Sequence, residues 1–344
     1  MKRSSRFINV LVVLSLVAFG AVAWTGVAMA AELQWAPNST PGGGDGAWNQ
    51  VDDSWYDGVS TFAPWANGNN DIAVFGGKSG TATLGEAITV GGITFNDNAG
   101  YVITGETLTF GVAGAITANV DATIESNLAG GVRITKEGAG KLTLTGTNSY
   151  SGGTTINGGI LSFSSSLSTG GDIRFNNGGV LEYTGAASLP GTYALINGGD
   201  DYRINVTDAA GNMTVAFADY SYKSIIKGGD GTLTVASSGG QDGGGLEVDE
   251  GTAVLNGSTV LGWGCANVGW ISDVKPGATV QLANNNGGQV FHGISMSGGT
   301  FDVNGHSSGT TAAVAAISGT GTITNTSATA CNVAGMLSKV CCAK

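Results

Sequence analysis

Proline is scarce in this chain, with 5 in 344 residues, and so are cysteine, with 4, and histidine, with 2. His292 and His306 are too few and too far apart for an imidazole metal site. Positive charge is thin as well. Beyond residue 30 the arginines are Arg133, Arg174 and Arg203, and the whole chain sets 14 Lys+Arg against 25 Asp+Glu, a net charge of −11. A surface of that sign repels phosphate, which excludes nucleic acid as a partner. After residue 30 no segment carries sustained helical periodicity, and none is apolar for long enough to span a membrane as a helix.

Glycine is what the chain has in quantity, 60 residues of it, together with 42% hydrophobic residues. Collagen is excluded because glycine does not fall at every third place. Disorder is excluded because the apolar residues alternate regularly. Leu142-Thr143-Leu144-Thr145 alternates with a period of two, and the same pattern fills Ala87–Ile93, Tyr101–Phe110, Ile116–Ile124 and Thr300–Val303. These are strand patterns, rich in β-branched residues and cut by Gly-Gly, Asn-Gly or Asn-Asp turns. Many short strands and many tight turns predict a solenoid with coils of ~20–25 residues.

The chain also repeats itself. Residues 137–163 read EGAGKLTLTGTNSYSGGTTINGGILSF, and 228–257 hold a second, looser copy in which Gly231 aligns with Gly140. A third, partial copy occupies 317–325, with Gly321 in the same place. The spacings are 91 and 90 residues. The first copy resembles the passenger-associated transport repeat, or autotransporter-associated β-strand repeat. Gly138, Gly140, Leu142, Leu144, Gly146, Asn148, Tyr150, Gly152, Gly153, Thr154, Ile156, Gly159 and Leu161 meet its pattern. The resemblance implies a right-handed parallel β-helix exported by a Gram-negative bacterium. It implies scaffold, with no catalytic residue and no cofactor.

Residues 1–30 are expected to be a signal peptide. Lys2, Arg3 and Arg6 lead an apolar run, and Ala28-Met29-Ala30 fits the small-x-small cleavage rule. Cleavage there takes away three positive charges and leaves −14. The expected organisation is then 31–80 as an N-terminal aromatic cap leading into the first coil, 81–325 as the β-helix, and 326–344 as an atypical tail. That tail loses the repeat after Thr324, has no room for the translocator barrel of an autotransporter, and is expected to reflect a truncated or shifted reading frame. Cys331, Cys341 and Cys342 crowd into it, while Cys265 stands apart. Adjacent cysteines pair poorly with each other, and the spacing is not that of a zinc site.

Trp35, Trp48, Trp55 and Trp65 are the candidate binding residues. They lie among Asp45, Asp52, Asp53, Asp57 and Asp71. Indole faces beside carboxylates can stack on a sugar ring and grip its hydroxyls. The competing reading is an end cap, which an exposed solenoid end requires. A polysaccharide lyase or hydrolase needs clustered carboxylates. The best clusters, Asp200-Asp201 near Arg203 and Glu247 through Glu250, read as solvated turns. Gly228-Gly229-Asp230-Gly231 is one imperfect fragment of a calcium nonapeptide, and Gly138-Ala139-Gly140-Lys141 lacks the first glycine and the Ser/Thr of a phosphate loop. The sequence therefore predicts an exported, non-enzymatic all-β rod at the cell surface or secreted. Its role is that of a passenger-like, adhesive scaffold for a surface glycan or protein.

Overall fold

Alternation decides which way each strand faces. In Lys141–Leu144 the side chains of Leu142 and Leu144 are buried, while Lys141 and Thr143 lie on the outer side. The strand Ile160–Phe163 pairs with it in parallel, Lys141 opposite Ile160 and Leu144 opposite Phe163. Repetition of that step builds the molecule. The computed structural model is an all-β parallel solenoid of about ten turns. It describes residues 30–196, 198–218, 223–236, 245–256, 270–283, 293–305 and 317–328. Ala28, the cysteines Cys265, Cys331, Cys341 and Cys342, and most of the expected tail lie outside the described residues.

Each turn visits three sides in a fixed order. In one coil the first side holds Ile134–Glu137, the second Lys141–Leu144 and the third the segment around Asn148. The next coil begins with Thr154–Asn157, stacked on Ile134–Glu137. Inward residues therefore form ladders. Leu142, Leu161, Leu181 and Ile204 stack on the second side. Full burial of one such side chain is worth about 1.5–3 kcal/mol, and the ladders supply most of the core.

Coil length is not constant. Leu142 and Leu161 are 19 residues apart on one ladder, Leu181 and Ile204 are 23, and Thr252 and Thr279 are 27. Most of the extra residues are taken up between strands, and register shifts at Val90/Gly92, Leu246/Glu247 and Ser297/Thr300 absorb others within strand pairs.

The two ends are built differently. At the N-terminal end Glu32–Trp35 pairs in parallel with Ile72–Phe75. Its other edge takes Trp55–Tyr56 antiparallel, which in turn takes Phe62–Ala63. At the other end Ile317–Thr324 pairs with Gly293–Asp302, and nothing further pairs with it among the described residues.

Candidate functional site

Trp35, Trp48, Trp55 and Trp65 are all buried, at 2% exposure or less. They form one cluster with Phe75. Trp48 and Trp55 have ring centroids 4.8 Å apart, as do Trp55 and Trp65, and Trp35 meets Trp55 edge-on at 5.1 Å. The Trp35 indole N–H donates to the Gly44 carbonyl and that of Trp65 to the Thr89 carbonyl, each at 2.9 Å. Packed this way, the indoles turn their faces to one another rather than outward. Asp57 is tied into local backbone, and Asp45 and Asp71 into backbone distant in sequence. Asp57 Oδ1 accepts the N–H groups of Val59, Ser60 and Thr61, which hold its carboxyl down to about 2. Asp45 accepts from Thr81, and Asp71 from Ala31.

In the first repeat, each signature residue lies in the core or at a coil-to-coil contact. Leu142, Leu144, Ile156 and Leu161 are core. Gly138, Gly153 and Gly159 have φ of 81°, 85° and 59°. Gly140, Gly146 and Gly152 lie where the preceding coil approaches. A Cβ on Gly152 would fall 2.2 Å from the Val132 carbonyl carbon, a distance no side chain tolerates. Asn148 replaces a stretch of strand on the third side. Its Oδ1 accepts from Leu128 N at 3.0 Å and its Nδ2 donates to Ser166 O at 2.9 Å, so one amide links the coil below to the coil above. The buried Tyr150 hydroxyl shares a 2.8 Å hydrogen bond with Thr154 Oγ1, and burial pushes its pKa up.

Lys136 is the residue that sequence reasoning missed. It lies in a first-side ladder between Ile116 and Ile156, where every neighbour is apolar, and it is fully buried. Its ammonium donates to the carbonyls of Glu137 (3.0 Å), Gly138 (2.8 Å) and Gly158 (3.2 Å). It thus fills the mouth of its own turn and of the turn stacked above. Burial holds its pKa down to about 8, against the pull of Glu137 and Asp121. Lys227 does the same in the second copy. It sits on the ladder between Ile204 and Val248, bonded to the carbonyls of Gly228, Gly229 and Glu250, with its pKa lowered to about 8 by burial. The sequence does carry a signal, since Lys136 and Lys227 are 91 residues apart, as Gly140 and Gly231 are.

A profile of the passenger-associated-transport-repeat family matches residues 134–163, a span that starts one strand earlier than the glycine pattern and takes in Lys136. The chain carries a passenger-associated transport repeat. A stretch of 153 residues, 42% of the chain, is 44% identical to the adhesin BmaC autotransporter of Brucella suis biovar 1 (strain 1330). That stretch covers 4% of the adhesin, so the chain spans a small part of its relative's length. No solved structure matches the chain.

The looser sequence copy at 228–257 does not stand where its alignment suggests. Its leading strand Ile225–Gly228 lies on the second side, stacked on Tyr202–Val206, whereas Ile134–Glu137 lies on the first. Following Lys141 up the solenoid through Ile160, Val180, Arg203 and Ile226 takes four full coils, and Thr232 then lies one side further on. The third copy adds four coils with no offset, through Thr232, Thr252, Thr279, Thr300 and Thr322.

The carboxylate clusters are also spent on neighbouring coils. Asp200 accepts from Gly178 N and Asp201 from Ser224 N, at 2.8 and 2.9 Å. Glu250 accepts from Gly229 N at 2.8 Å. Glu247 and Asp249 pair with Lys275 at 2.7 and 2.6 Å. Asp121 accepts from Lys141 N, 20 residues on. Acidic residues at the turns thus satisfy orphaned N–H groups of the adjacent coil. No helix among the described residues is long and apolar enough to cross a membrane.

Proposed function

We propose that this chain is a non-enzymatic scaffold within an exported, adhesive passenger, presented at the cell surface or secreted. One observation carries the reading. In the transport repeat the buried chemistry-bearing side chains, Lys136, Asn148 and Tyr150, hold coils together, and the outward Lys141 and Glu137 are paired with Glu182 and Asn157 of neighbouring coils. The likeness of 153 residues to an adhesin autotransporter supports the same reading. Export begins at the signal peptide, with cleavage between Ala30 and Ala31, and the parallel coils present ladders of side chains to a surface protein or glycan.

Expression in intact Gram-negative cells, fused to a translocator barrel, tests it. Added protease should remove the chain from whole cells, and cells displaying it should bind host surfaces more than cells displaying a truncated form. Protection from protease, or equal binding by both, refutes the reading.

The tryptophan cluster serves as the end cap in this proposal. Trp48→Ala with Trp55→Ala should lower stability by about 3–5 kcal/mol per site, the usual cost of emptying a buried aromatic position. If instead a glycan signal disappears while the melting temperature holds, the tryptophans are a sugar platform.

A further inference from the structure

The N-terminal stretch of the chain carries no positive side chain. From residue 7 to residue 77 there is no Lys, Arg or His, whereas residues 31–77 hold six carboxylates, Glu32, Asp45, Asp52, Asp53, Asp57 and Asp71. Five of these are exposed, and Asp71, at 6% exposure, is buried. Asp71 stands one residue ahead of the strand Ile72–Phe75, on the ladder that continues through Gly91 and Gly114 to Ile134, Thr154 and Ile173. A carboxylate at a position that is uncharged in the later coils needs a strong partner, because burying an unpaired charge is costly. None of the ion pairs among the described residues reaches it. Its Oδ2 accepts from Asn69 Nδ2 at 3.2 Å, and its Oδ1 accepts from the backbone N–H of Ala31 at 2.9 Å.

That N–H belongs to the peptide bond at which the signal peptide is proposed above to be cut, and the inference rests on that cleavage. Ala30 and Ala31 are both exposed. Hydrolysis breaks the bond between the Ala30 carbonyl carbon and the Ala31 nitrogen. The oxygen of water joins Ala30 as part of a new carboxylate, and both of its protons end on the Ala31 nitrogen, an ammonium at neutral pH. The new cation does not have to travel. The Ala31 carbonyl accepts from Ile72 N at 2.7 Å, and Glu32 to Gln34 pair with Ile72 to Val74, so the nitrogen is held beside Oδ1. A charge-assisted hydrogen bond is roughly twice as strong as a neutral one. Within residues 31–77 this ammonium is the sole cation that the chain can supply.

We propose that Asp71 is the receptor for the α-ammonium that signal-peptide removal creates at Ala31, so that the first coil is locked only in the processed chain.

The test compares residues 31–344 carrying a free amine at Ala31 with the same chain acetylated there, a change that keeps an N–H donor and removes the charge. The amides of Ile72 and of Glu32–Trp35 should exchange about 10-fold faster in the acetylated chain. With Asp71→Asn, the free and acetylated chains should exchange alike. The α-amine gives a second readout that needs no variant. In the folded chain it should react with an acylating reagent at least ~10-fold more slowly than in the urea-unfolded chain. Equal exchange in the two wild-type forms, the same difference between them in Asp71→Asn, or equal amine reactivity folded and unfolded overturns the proposal. The mass of the N-terminal peptide of the exported protein tests the cleavage separately. A start at Ala31 supports the pairing as a product of processing. Any other start overturns it through the cleavage site, even where the purified chain shows the charge effect.

Discussion

The transport repeat at 134–163 and its looser sequence copy at 228–257 share a lysine, a glycine turn and a strand pair, yet they occupy different sides of the solenoid. Lys136 stands on the first side and Lys227 on the second. Each nevertheless meets three carbonyls, two from its own turn and one from the turn stacked above. What the lysine recognises is the turn and not the side. Beyond the turn the two copies diverge. The first has Asn148 and Tyr150 to bridge coils on the third side, while the second runs straight into Thr232–Ala236, a regular strand paired on both edges. An interrupted side needs side-chain amides as stand-ins for backbone, and a continuous one does not.

Substitutions can separate the two copies at several points. The largest effect is expected from the lysines. Lys136→Ala and Lys227→Ala should each lower stability by about 2–4 kcal/mol, because each leaves a cavity and three unbonded carbonyls. Chemical denaturation should give the two the same loss within error. A loss confined to Lys136 would show that the side matters after all. Asn148→Ala comes next, at about 2 kcal/mol, since Leu128 N and Ser166 O both lose their partner. The substitution should act locally and speed exchange at Leu128 first.

The lysines also give the rod a pH dependence of known sign. Their pKa is lowered to about 8 in the folded chain, from an ordinary 10.5. Between those values the unfolded chain binds more protons, so stability rises with pH across that window. From pH 7.5 to 9.5 the gain should be ~1–2 kcal/mol per lysine, read as a rising denaturation midpoint. A Lys136→Met, Lys227→Met variant should be flat there, and a wild type that is also flat would sink the assignment. Tyr150→Phe is expected to cost least, at ~1 kcal/mol, the worth of one hydrogen bond to Thr154.

Much of the solenoid was legible in the sequence. The inward leucines and isoleucines follow from strict alternation, and the turn glycines follow from their pairing. Lys136 was not legible, because a lysine in a glycine-rich segment reads as a solvated charge. Only the stacking of one turn on the next creates the carbonyl-lined space that takes it. The side change between copies was hidden for a different reason. A spacing of 91 residues is a length along the chain, and coils of 19 to 27 residues convert it into different angles. The tryptophans, finally, had two readings of equal composition. Spacing alone does not say that Trp55–Tyr56 folds back antiparallel and encloses them.

A lysine that answers to its turn has a consequence for the phase of the repeat. Between the first copy and the second the pattern has moved on by one side, yet the second lysine still finds its three carbonyls. A shift of a third of a coil between the copies therefore leaves the lysine's bonding intact, because the carbonyls it meets travel with the turn.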